Sequence, residues 1–172
     1  MKNESAIIVP IGEVEPIVSA LRLQYDGSAR LGVPAHITLL CPFCPSPATK
    51  DIDILAEMFS GIEAFEFTFT EVRRFPRTAY LHPNDSESFV RIVEALVEKW
   101  PDHKPYNGAF SNVVPHLTVA DDAENQVLDE VESSLLCHLP IRCIAAEAWL
   151  VLADDAGFWA KKAAFPLGRR TK

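Results

Sequence analysis

Two similar segments, separated by almost half of the 172-residue chain, limit what this sequence can fold into. The first is VPAHITLLC and the second is VVPHLTVAD, so each contains His, an apolar residue, Thr and another apolar residue, with a proline one or two positions before the His. A repeat at this distance predicts two related lobes around a pseudo-twofold axis. A cleft between such lobes is a common place for a binding site.

Both motifs have the alternating pattern of a half-buried β-strand. Residues i and i+2 of a strand face the same side. His36 and Thr38 are therefore expected to project together, as are His116 and Thr118, while the apolar residues between them point into a core. If the two strands flank a cleft, two imidazoles and two hydroxyls face one point.

Strands and helices alternate along the chain, with no linker that divides it. We therefore predict one α+β domain over residues 1–172, made of two lobes with antiparallel sheets flanked by helices around a central cleft. The strand FEFTFTEVRRF is expected to place Phe65, Phe67 and Phe69 on one face, and the helix after the first strand is expected to have Val14, Ile17, Leu21 and Leu23 on its apolar face. Strands are predicted at 6–11, 36–43, 65–75, 78–82, 116–120, 141–153 and 158–166, and helices at 13–25, 50–59, 86–100 and 124–136, with a loop at 101–115.

The net charge of −8 argues against a long nucleic acid as partner. Affinity for long nucleic acids comes largely from Lys and Arg that neutralise phosphates. A small nucleotide or an RNA end needs only a few local donors and remains a suitable ligand. No apolar stretch has the length of a membrane span, and the N-terminal residues lack a signal-peptide pattern. We expect a cytoplasmic monomer without a membrane partner.

Paired histidines suit phosphoester cleavage by general acid–base catalysis. One neutral imidazole takes a proton from the attacking oxygen, and the other, protonated, gives a proton to the leaving oxygen. The threonine hydroxyls can donate to phosphate oxygens. We expect neither a metal nor a cofactor, and we interpret the CPFC cysteines as reduced thiols because no second pair fits a zinc site. The alternative is a repeated core histidine, which needs buried partners for its polar atoms.

Other residues are weaker candidates for contact with a substrate. Tyr106 and Phe110 in the loop before the second motif, and Tyr25 before the first, either stack on a base or pack against the domain. Arg77, in a cluster with Arg73 and Arg74, either binds phosphate or lies on a solvated face. The remaining histidines, such as His82, have no paired motif and are interpreted as surface or structural residues.

The two motifs make the chain resemble the two-histidine phosphoesterases, and among them the 2′-5′ RNA ligase-like branch. The segments VPAHITLLCPF, RRFPRTAYLHP, PYNGAFSNVVPHLTVAD and EAWLVLAD also resemble small bacterial members. The resemblance implies a bilobal fold, catalytic roles for His36 and His116, and phosphate binding by Thr38 and Thr118. It implies opening of a 2′,3′-cyclic phosphate on a nucleotide or RNA end.

Two alternatives remain open at this point. One is a module that binds nucleotides or RNA ends without turnover, and the other is 2′-5′ RNA ligation. Some RNA-processing relatives carry basic residues close to the motifs, where this sequence has Cys41 and Asp121. This departure favours small cyclic phosphates over ligation of long RNA.

Overall fold

Two four-stranded antiparallel sheets carry the fold of residues 4–168, which the computed structural model describes. The α+β class is confirmed. The strands are β1 (Ser5–Pro10), β2 (His36–Leu40), β3 (Phe65–Phe75), β4 (Thr78–Pro83), β5 (Leu117–Ala120), β6 (Ile141–Ala145), β7 (Glu147–Ala153) and β8 (Trp159–Pro166). The helices are α1 (Glu15–Tyr25), α2 (Gly27–Arg30), α3 (Thr49–Ser60), α4 (Ser86–Lys99) and α5 (Asn125–Leu136), with 3-10 turns at Gly12–Val14 and Pro105–Gly108.

The two sheets have equivalent strand orders. Lobe 1 is the sheet β2-β1-β7-β8, and lobe 2 is the sheet β5-β4-β3-β6. In each lobe the strand of a His-x-Thr motif is an edge strand, and its threonine pairs with the neighbouring strand: Thr38 with Ile8, and Thr118 with Tyr80. The predicted pair of related lobes is therefore present.

The lobes do not coincide with the two halves of the sequence. Lobe 1 combines strands from both ends of the chain, because β7 pairs with β1. The hairpin β3–β4 belongs to lobe 2, since β4 pairs with β5. Strand pairing between distant segments therefore overrides neighbourhood in sequence.

The long strand predicted at 141–153 is two strands in different sheets. Ile141–Ala145 pairs with β3 of lobe 2, and Glu147–Ala153 pairs with β1 of lobe 1. The chain crosses between the sheets at Ala146, whose carbonyl accepts a hydrogen bond from the backbone of Leu167 (2.9 Å). Both strands are apolar and alternating, so the local pattern gave no sign of the crossing.

A bulge in β3 exchanges the two faces of the strand in its second half. Phe67 and Phe69 are buried in the core, as predicted. The register shifts between Phe69 and Glu71, and beyond that point Val72 packs against the core instead. A bulge adds one residue to a strand and thus exchanges its two faces. Phe75 therefore lies on the face opposite to Phe67 and Phe69.

The buried side of α1 differs from the predicted one. Ile17 and Leu21 are half-buried against the core, but Leu23 is 57% exposed. Val14 is fully buried, as predicted, and Val18 and Arg22 continue its line at intervals of four residues. Residues four apart stack on one helix face, and Leu23 lies about 100° around the helix from Arg22. The prediction for Leu23 was wrong, since an arginine occupies its place in the core.

Candidate active site between the two edge strands

The strands of the two motifs lie beside each other where the lobes meet. β2 and β5 are edge strands of separate sheets, and their backbones come into close contact. His36 is the first residue of β2, and His116 directly precedes β5. The structure therefore brings the two predicted histidines to one junction.

Both imidazoles are held in the same way. Nδ1 of His36 lies 2.7 Å from the carbonyl oxygen of Pro34, and Nδ1 of His116 lies 2.6 Å from that of Val114. A carbonyl oxygen can only accept, so Nδ1 carries the proton of the neutral ring. Nε2 of each histidine is then left with its lone pair for a ligand.

Burial makes His36 a neutral group at ordinary pH. It lowers the pKa of His36 to about 4, against the opposing effect of the Pro34 carbonyl. The positive charges of Arg22 and His116 lower this pKa further.

His116 has a different surrounding. Burial lowers its pKa, whereas the Val114 carbonyl and the negative charge of Asp121 raise it. The rings of Phe75 and Tyr80 meet the imidazole edge-on, with centroids 5.2 and 5.3 Å away. The bulge in β3 thus supplies Phe75 to the site, because it turns this ring toward His116.

Thr38 and Thr118 are half-buried on the faces that carry the histidines. Their side chains follow the predicted alternation, since Ile37 and Leu117 are fully buried on the other face. Within residues 4–168 neither hydroxyl has a hydrogen-bond partner in the protein. Both hydroxyls are therefore available to donate to an anionic ligand.

The buried Arg22 forms hydrogen bonds near both motifs, and no role for it was predicted from the sequence. The guanidinium is 2% exposed and pairs with Asp26 at 2.8 Å. It also donates to the carbonyl oxygens of Thr118 and Val33, each at 3.2 Å. The sequence did carry a signal: an arginine in the apolar line of α1, with an acid four residues later.

The loop before the second motif brings Tyr106 to the end of β2. Its backbone N–H donates to the carbonyl of Cys41 (2.7 Å), and its φ of 52° is unusual for a residue other than glycine. Burial raises the pKa of Tyr106 to about 12, so its hydroxyl stays protonated. Phe110 contacts the Tyr106 ring edge-on at 5.6 Å but is itself 67% exposed, in a surface groove against α4.

Tyr25 and Arg77 have other partners. Tyr25 packs against the core, and its hydroxyl accepts from the side chain of Gln24 (2.8 Å). Arg77 forms an exposed ion pair with Asp122 at 2.6 Å. Because Asp122 follows the end of β5 and His116 precedes its start, the structure does not bring Arg77 to the imidazoles.

His82 lies closer to the site than its sequence setting indicated. It is half-buried on β4, and its Nδ1 is buried without a hydrogen-bond partner among the described residues. Burial and the charge of Arg73 lower its pKa, and the charge of His116 also contributes. Of the two interpretations, surface or structural, the half-buried position of His82 favours a structural residue.

Two further findings concern ions and membranes. Between residues 4 and 168, no three His, Cys, Asp or Glu side chains are grouped as metal ligands would be.

Of the helices in the same range, none combines the length and the apolarity needed to cross a membrane.

Several solved structures share this fold. E. coli LigT complexed with NADP⁺ has a TM-score of 0.63 at 13% identity, covering 98% of this chain and 99% of LigT. E. coli LigT complexed with 3′-AMP gives 0.62 at 13% identity, covering 98% and 100%. The protein TT0787 of Thermus thermophilus gives 0.64 at 17% identity, covering 98% and 100%. No curated protein sequence is significantly similar to this chain.

Two antiparallel lobes with a His-x-Thr strand at each facing edge define the architecture of a two-histidine phosphoesterase. The sequence profile of the 2′-5′ RNA ligase superfamily matches residues 10–157. The chain belongs to this superfamily, and the resemblance of its motifs is confirmed.

Proposed function

We propose that this protein is a phosphodiesterase that hydrolyses a 2′,3′-cyclic phosphate of a nucleotide or RNA end, without a metal ion. The observation that carries the proposal is the matched pair of imidazoles at the junction of the lobes. Each is fixed through Nδ1 by a backbone carbonyl two residues earlier, and Nε2 of each ring has no hydrogen bond to another of the residues 4–168. For a candidate acid–base pair, the position of the reactive nitrogens is the first criterion, and the pKa values are the second.

In this proposal His36 is the general base and His116 the general acid. The neutral His36 takes a proton from a water whose oxygen attacks phosphorus. The bond from phosphorus to one ribose oxygen breaks, and His116 gives its proton to that oxygen. A bound anionic phosphate raises the pKa of a neighbouring imidazole, which favours the protonated His116. Thr38 and Thr118 donate to the non-bridging oxygens as negative charge builds up there.

The substrate class is supported by charge and by the structural neighbours. E. coli LigT, which shares the fold, has been crystallised with 3′-AMP, with ATP and with NADP⁺. The net charge of −8 disfavours a long RNA and leaves a nucleotide-sized ligand. We extend nucleotide binding to this chain as part of the proposal.

We further propose that residues 1–172 act as one unit and as a monomer. Ile37 and Leu117, the residues between each His and Thr, belong to the same apolar core, so both motif strands are anchored together. All four motif side chains come from one chain, and none needs a partner subunit. The free thiols of Cys41, Cys44, Cys137 and Cys143 suit the reducing cytoplasm.

The test measures hydrolysis of 2′,3′-cyclic AMP and of ADP-ribose cyclic phosphate by the wild type, His36→Ala and His116→Ala. His138→Ala is the matched control, because His138 is exposed outside the junction. Each motif variant should lose about 10²- to 10⁴-fold in rate, the usual contribution of general acid–base catalysis. The control should keep full activity, and a chelator should leave the wild type unchanged.

Other results would replace the proposal. Hydrolysis that survives both motif substitutions contradicts the acid–base roles, and loss of activity with chelator contradicts independence from metal. Calorimetric binding of a nucleoside monophosphate without turnover of any cyclic phosphate would indicate a binding module. A 2′-5′ joined product from matched RNA ends would indicate a ligase.

A further inference from the structure

A row of three paired residues leads from the motif of lobe 1 across its sheet. Thr38 of β2 pairs with Ile8 of β1, and Ile8 pairs with Trp149 of β7. Directly paired residues share a face of the sheet. Trp149 therefore lies on the same face as Thr38, two strands away, which is about 10 Å between their backbones.

The Trp149 indole contacts an apolar cluster, a carboxylate and an ammonium group. It packs against the small buried cluster of Ala6, Ile8, Val33 and Val151. Its Nε1–H donates to the Glu147 carboxylate at 2.7 Å. The ammonium of Lys161 lies 4.1 Å from the ring centroid, and Lys161 is itself exposed. One face of a held aromatic ring is thus covered only by a flexible, solvated side chain.

The equivalent row in lobe 2 has a different chemistry. Thr118 pairs with Tyr80, and Tyr80 pairs with Arg73. Arg73 is bound to Glu71 at 2.6 Å, so the position that matches Trp149 holds an ion pair. The backbone pairing around the two threonines is the same in both lobes. The side chains two strands away differ, with an indole in lobe 1 and an ion pair in lobe 2. A planar, uncharged group is better accommodated on lobe 1.

We propose that Trp149 stacks on the nucleobase of the substrate and thereby places the nucleoside on the lobe 1 side of the junction between β2 and β5. The location of the phosphate at the motif residues rests on the proposed function. The base replaces the Lys161 ammonium over the ring, because stacking of a base is stronger than an exposed cation–π contact. The protein then prefers nucleoside cyclic phosphates over cyclic phosphates that lack a base.

The test compares kcat/KM for 2′,3′-cyclic AMP and for glycerol 1,2-cyclic phosphate, which has the same ring chemistry and no base. Trp149→Ala should lower the value for the nucleotide by about 5- to 100-fold, the worth of one stacked base. It should change the value for the glycerol compound less than about twofold on the same reasoning. Trp149→Phe keeps an aromatic face and should recover most of the loss. Trp100→Phe, at a tryptophan that packs edge-on against Phe43 and is not part of the cluster around Trp149, is the control and should behave as wild type.

A binding measurement separates this inference from the proposed function. In the variant Trp100→Phe/Trp159→Phe, fluorescence reports on Trp149 alone among the tryptophans, and titration with AMP should quench it. Quenching without turnover of any cyclic phosphate supports the stacking site and refutes the phosphodiesterase. Turnover that Trp149→Ala lowers equally for both compounds, or leaves unchanged for both, refutes the stacking site and leaves the phosphodiesterase standing. Absence of quenching by AMP also refutes the stacking site.

Discussion

Replacing Arg22 with methionine should destabilise the protein more than any exposed arginine replacement. The substitution keeps a long side chain in the core and removes the guanidinium. It leaves Asp26, 4% exposed, as a buried carboxylate without its partner, and it takes a donor from the carbonyls of Thr118 and Val33. Breaking a buried ion pair on one side costs about 3–5 kcal/mol. Urea denaturation followed by circular dichroism measures this loss in the free energy of unfolding.

A matched control comes from α4, where Arg91 pairs with Glu87. This pair also spans four residues of a helix, but both side chains are well exposed, at 69% and 76%. Exposed helix pairs contribute about 0.3–0.5 kcal/mol, so Arg91→Met should lie within about 0.5 kcal/mol of the wild type. The two substitutions are chemically identical, and their difference isolates the effect of burial.

The double variant Arg22→Met/Asp26→Asn tests the cause. It removes both charges, while the asparagine oxygen can still accept from the Ser28 backbone as Asp26 does. It should be more stable than Arg22→Met alone, because no unpaired charge stays buried. The reasoning is refuted if Arg22→Met costs no more than Arg91→Met, or if Asp26→Asn adds to the loss instead of relieving it.

Three further predictions concern the motifs and the core. Wild type should lose free energy of unfolding relative to His36→Gln as the pH falls from 6.5 toward 4, and not above 6.5. The unfolded histidine, with its ordinary pKa, binds a proton in that window that the folded His36, with a pKa of about 4, does not; denaturation at several pH values measures this, and parallel curves would contradict it. Thr38→Ala or Thr118→Ala should lower kcat about 10²- to 10³-fold if each hydroxyl stabilises the transition state, while serine at either position restores activity. Phe89→Ala should cost about 3–5 kcal/mol, since this ring is fully buried, and Phe110→Ala, at a 67% exposed ring, should cost far less; equal losses in urea denaturation would show that the core is placed wrongly.

The contribution of tertiary structure is clearest at residues that no motif marks. The exchange of faces at the β3 bulge brings Phe75 to His116, although simple alternation puts this ring with Phe67 and Phe69. The crossing at Ala146 sends one apolar segment into two sheets, and the pairing of β1 with both β7 and β2 puts Trp149 in line with Thr38. The pairing of distant strands sets the positions of Phe75 and Trp149. The local alternation of a strand does not indicate which strand it pairs with or in which register.

The amino-acid sequence by itself determined which residues of each motif share a face. Alternation is a local property of a strand, so His36 could be placed with Thr38, and His116 with Thr118, before any fold was known. The repeat also indicated two related lobes. Only the tertiary structure decided that both motif strands are edge strands of separate sheets, that these two strands contact each other, and that the buried Arg22 donates to the carbonyls of Thr118 and Val33. Those arrangements arise from contacts between segments far apart in the chain, whose energies depend on the complete packing of the core.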